Sequence, residues 1–293
     1  MLKAQQGPGG MSQLHGGAGL AVDVARILDE AGIPNVLWGW MAIALVGKDI
    51  GMREVDFVVP DEKVESATNV LAAAGFTVCM APNCFELCED RLPENHLDHW
   101  EGLPPEQRFM SWSHVNSVVA KDRRHPVAAA HFHVNTQYPS SEILAVHRKS
   151  YILWKFPPLT LDLPANDRNL MLSTDNRLTT RNGGTGPWID LYPIKILTPC
   201  ACAEALIYLR SRDYAHIKKL WRVWRSMLIV LSANDAEIRH QIQPSFRVVW
   251  ESLNCRGPEE QNMWIPFNLL RDRLIAEREL GELPPLDFED VLQ

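Results

Sequence analysis

The sequence predicts a mixed α/β (α+β) fold: one mixed sheet covered by helices, followed by a C-terminal helical lobe. Three features predict it. Helical periodicity alternates with short Val- and Phe-rich runs between residues 20 and 80. Gly and Pro punctuate those runs at short intervals. After Pro199 the apolar spacing becomes helical almost throughout.

Leu20, Val24, Ile27, Leu28 and Ala31 share one helical face, and Gly32 with Pro34 ends that helix. Residues 35–39 (NVLWG) predict a short strand, and residues 41–47 (MAIALVG) a compact helix closed by Gly47. EVDFVVP, residues 54–60, is a strand stopped by Pro60. Asp61 caps the helix that follows, which Gly75 terminates. FTVCM, residues 76–80, and VAAAHFHV, residues 127–134, predict two further strands. Residues 82–125 are irregular, 141–156 mix apolar and basic side chains, and 159–188 resemble a loop. Four helical stretches follow, over 200–212, 213–232, 235–253 (broken by Pro244) and 264–280, before an acidic segment at 283–293.

A chain of 293 residues exceeds what one core usually organises, so two lobes are expected. They are an α/β domain over 20–198 and a helical lobe over 199–293, after a Gly-rich tail over 1–19. The net charge of −7 argues against a broad grip on duplex nucleic acid but leaves room for a local basic groove. No apolar run reaches the ~18–20 residues of a membrane span, and residues 1–19 lack the apolar stretch of a secretory signal. A cytoplasmic protein with free thiols and no membrane partner is the expectation.

Chemistry concentrates in residues 36–59, VLWGWMAIALVGKDIGMREVDFVV. Glu54 and Asp56 are two apart on a strand and therefore project from one face. Paired carboxylates at a strand end can hold Mg²⁺, which neutralises phosphate charge during group transfer. Gly39 lets the backbone approach a phosphate, and the helix after it offers N–H groups to that anion.

This strand–Gly–helix–strand–acid order resembles the nucleotidyltransferases of the polymerase-beta-like superfamily. The resemblance covers residues 20–80 well and 127–225 loosely. It implies Mg²⁺-dependent nucleotidyl transfer to a small molecule or an RNA end, with Glu54 and Asp56 as metal-holding and catalytic acids. Gly39 would receive phosphate. Lys195, Arg210, Arg212, Lys218 and Lys219 would offer basic groups to the phosphates.

The chain also departs from that pattern. Trp40 stands where the family has Gly or Ser, and Glu54 replaces the usual first Asp. An indole there blocks a triphosphate or gives another substrate a stacking surface. The strand over 127–134 matches the third carboxylate by position but offers His131 and His133, with Asp190 as a second candidate. Of these, His133 is taken as a catalytic candidate, and a His ligates a transition metal more readily than Mg²⁺. Two readings stay open: an active nucleotidyltransferase, or a repurposed or inactive scaffold that binds another ligand (a tRNA-linked one included) or serves as an interaction protein.

Weaker constellations remain. Cys84, Cys88, His96 and His99 have spacings near those of structural zinc, with packed thiols as the competing reading. The Gly-rich run at 182–186 lacks the Lys-Ser/Thr of a P-loop and reads as a flexible loop. Trp221, Trp224 and Leu228 have helical spacing and are assigned to the core, Arg222 and Arg225 beside them being the minority reading of a strand-binding surface.

Overall fold

A computed structural model describes residues 17–51, 54–80, 128–134, 143–164, 167–178, 180, 183–214, 220–232, 235–253 and 264–283. Its centre is a six-stranded mixed sheet of β1 (Val36–Trp38), β2 (Val55–Val59), β3 (Ala130–His133), β4 (Ile143–Arg148), β5 (Leu170–Leu172) and β6 (Lys195–Leu197). They lie in the order β3-β4-β2-β1-β6-β5. The β1–β2, β3–β4 and β5–β6 pairs are antiparallel, and β2–β4 and β1–β6 are parallel. Among the described residues there are nine α-helices, so the mixed α/β expectation holds.

Helix α1 (Ala18–Glu30) buries Leu20, Val24 and Leu28, the stripe its periodicity requires, and ends where Gly32 takes a φ of 68°. Helix α2 (Gly39–Val46) is buried at every residue. Helix α3 (Val64–Ala73), entered through a 3-10 turn at Asp61–Lys63, packs on α1 and β4. All five residues of β2 are buried. A strand covered on both faces reads as a near-continuous apolar run, and VDFVV does so except at Asp56.

The segment over 141–156 resolves into β4 and the short helix α4 (Lys149–Ile152), with no Gly or Pro between them. Residues 170–172, inside the stretch read as a loop, form edge strand β5. The strand expected over 76–80 reduces to one bridge, Val78 to Phe132, plus the Cys79 N–H donating to the His131 carbonyl at 2.9 Å.

Thr198 caps α5 (Pro199–Asp213), its hydroxyl accepting from the Ala201 N–H at 3.3 Å, and Pro199 occupies the first turn, where no intrahelical N–H is needed. Helices α6 (Leu220–Leu231), α7 (Asp235–Gln241), α8 (Pro244–Ser252) and α9 (Trp264–Ala276) follow. Pro244 starts α8, the break its sequence position implies. Trp224 of α6 meets Trp38 of β1 at 6.3 Å between ring centroids, so α6 lies over the sheet face that carries Trp38. Most buried apolar side chains described from α1 through to Leu280 belong to one hydrophobic cluster, which crosses the step from β6 into α5, while Ala128, Ile143 and Ala145 form a second, small one. No helix among the described residues is long and apolar enough to cross a membrane. Cys84, Cys88, His96, His99, Lys218 and Lys219 lie outside the described residues, as do residues 1–16, Asn182 and 284–293.

Candidate functional site

Strand register decides which side chains can meet. Trp38 pairs with Asp56 across β1–β2, Asp56 with Ala145 across β2–β4, and Ala145 with His131 across β4–β3. Paired residues share a face, and so do residues two apart along a strand. Trp38, Asp56, His147, His131 and His133 therefore occupy one face of the sheet.

At its centre Asp56 is only 3% exposed. A buried carboxylate is costly without partners. Asp56 finds one in His147, whose Nε2 lies 3.3 Å from Oδ1, both side chains being almost completely enclosed. A carboxylate accepts, so the ring N–H belongs on Nε2. Its other oxygen fits against Gly39: a Cβ built on that residue would lie 2.2 Å from Oδ2. Gly39 also holds a φ of 71° as the first residue of α2. Both the close approach and the backbone demand glycine.

The two acids expected to project from one face differ in exposure. Glu54, just before β2, is half-buried, whereas Asp56 is enclosed. Trp40 is 8% exposed and belongs to the main hydrophobic cluster, so its indole offers little surface to a ligand. Asp190 lies exposed in a turn.

The basic candidates have internal partners. Lys195 Nζ lies 2.8 Å from Asp29 Oδ1 and 3.2 Å from the Leu161 carbonyl, tying β6 to α1. Arg210 is 2% exposed, its guanidinium 3.4 Å from the centroid of the Phe267 ring, with Tyr214 and Trp221 farther out. Burial pushes that guanidinium down to about 9. Arg212 donates to Asp213 at 2.6 Å and to the Tyr151 carbonyl at 2.5 Å. Asp213 also accepts from Trp224 Nε1 at 2.7 Å, which fixes α5 to α6.

His131 and His133 sit two strands from Asp56, their rings edge to face at 5.1 Å. Burial, with the neighbouring His133, lowers His131 to about 4, and burial lowers His133 as well. Cys79 stands opposite His131, a pairing that the reading of residues 76–80 as an ordinary strand had not singled out. His147 is the second residue sequence reasoning missed. Its only signal was a polar side chain in the apolar run ILAVHR.

None of the protein-family models, curated proteins or solved structures compared with the chain matches it.

Proposed function

We propose that this chain is a divergent nucleotidyltransferase-like protein of the polymerase-beta-like type, repurposed to bind a ligand other than a metal–nucleotide complex. The observation that carries this reading is Asp56, enclosed and engaged by His147 and Gly39. Mg²⁺ requires near-octahedral oxygen ligands at ~2.0–2.1 Å and keeps several of its waters. A carboxylate shut between an imidazole and a glycine Cα offers no room for that shell. The packed indole of Trp40, at the turn where the family seats phosphate, supports the same reading. Among the described residues, two polar atoms of this face, Trp38 Nε1 and His147 Nδ1, are buried without a hydrogen bond. Buried polar atoms in that condition are uncommon and mark where a polar ligand or a water can be received.

The second reading is retained Mg²⁺-dependent nucleotidyl transfer to a small molecule or an RNA end. It rests on the close fit of Gly39 to Asp56 and on Glu54 two residues away, which keeps the acid-x-acid spacing of the resemblance. Calorimetric titration of the full chain with each nucleoside triphosphate, with and without Mg²⁺, separates the two. The repurposed scaffold gives no Mg²⁺-dependent heat, and Asp56→Asn leaves the titration unchanged. Saturable Mg²⁺-dependent binding that Asp56→Asn abolishes would establish the second reading and overturn the first.

A further inference from the structure

We propose that Cys79, His131 and His133 form a zinc-binding site on the outer edge of the sheet. The inference stands apart from the reading above, because neither Glu54 nor Asp56 belongs to the group. Its basis is register. The Val78–Phe132 bridge sets Cys79 opposite His131, and the Cys79 N–H to His131 carbonyl bond fixes that alignment. Opposed residues share a face, and a residue two further along is the diagonal neighbour, so Cys79, His131 and His133 converge. One ligand atom from each lies within 4.8 Å of the other two.

Tetrahedral zinc with bonds of ~2.0–2.3 Å holds its ligand atoms roughly 3.3–3.8 Å apart. Rotation about side-chain bonds closes a gap of about 1 Å, and the edge-to-face rings let two nitrogens converge without stacking.

The donor set selects the ion. One thiol and two imidazoles, with no carboxylate in the group, suit a borderline-soft cation and disfavour Mg²⁺ or Ca²⁺. Three protein ligands leave the fourth tetrahedral position to water or a small ligand, the pattern of reactive rather than closed structural zinc sites.

The test uses the full chain stripped of metal, titrated with Zn²⁺ against a chromophoric chelator and separately with Co²⁺. The expected result is stoichiometric binding and a Co²⁺ spectrum with tetrahedral ligand-field bands and a thiolate-to-metal charge-transfer band. Cys79→Ser removes the charge-transfer band, and His133→Asn weakens Zn²⁺ binding by at least the ~10–100-fold that loss of a mere supporting partner costs. Both side chains are only half-buried, so the variants are expected to keep the circular-dichroism spectrum of the parent. A Cys84→Ser/Cys88→Ser variant retains the site. Absence of binding, a Co²⁺ spectrum unchanged in Cys79→Ser, or loss only in Cys84→Ser/Cys88→Ser would each overturn the proposal.

Discussion

Gly39 shows how much one missing side chain can determine. Its positive φ costs an L residue ~1–2 kcal/mol, and a methyl group there would overlap the Asp56 carboxylate. Gly39→Ala is therefore expected to destabilise the protein by roughly 2–4 kcal/mol, read as a lower denaturant midpoint at unchanged slope. An unshifted midpoint would mean that Asp56 moves away freely and that its enclosure is not tight. Gly39 and Asp56 were both legible in the sequence, because a Gly ending an apolar run and an acid inside one each break a local pattern. The partner of Asp56 was not. His147 lies 91 residues away and reaches it through a parallel pairing of β2 with β4. Periodicity reports which way a side chain faces along its own strand, not which strand lies beside it.

At the scale of elements, the same limit explains what was read and what was not. The stripe of α1 and the stops at Gly32 and Gly75 are local signals, and they predicted their elements. Strand β4 passes into α4 without a breaker, so its boundary carries no punctuation. Strand β5 has three residues, too few to show alternation, and exists because β6 offers it a ladder. Helix α6 offers the clearest test of an inter-element contact. Trp224 packs on Trp38 and donates to the fully buried Asp213. Trp224→Phe keeps most of the ring contact and removes the donor, so a loss of ~1–3 kcal/mol is expected by urea unfolding. Trp224→Ala, which loses packing as well, should cost ~3–5 kcal/mol. Equal costs for the two variants would assign the whole effect to the hydrogen bond.

Over the whole molecule, the sheet and the later helices are bound by one main apolar core and by polar ties between elements. Lys195 to Asp29 joins β6 to α1, and Arg212 to the Tyr151 carbonyl joins α5 to α4. The order of strands also has a consequence for the making of the protein. Strand β1, third from the β5 edge of the finished sheet, receives its second neighbour only when β6 arrives. A nascent chain that has released residues 1–164 therefore carries an unpaired β1 edge, with the Trp38 indole still lacking Trp224. Open edges and bare aromatic surface invite other chains during synthesis. A fragment ending at residue 164 is expected to elute as a heterogeneous, self-associated species in size-exclusion chromatography, while the full chain does not. A sharp monomer peak from that fragment would show that the first strands can shield their own edge, and that the ribosome need not wait for the last one.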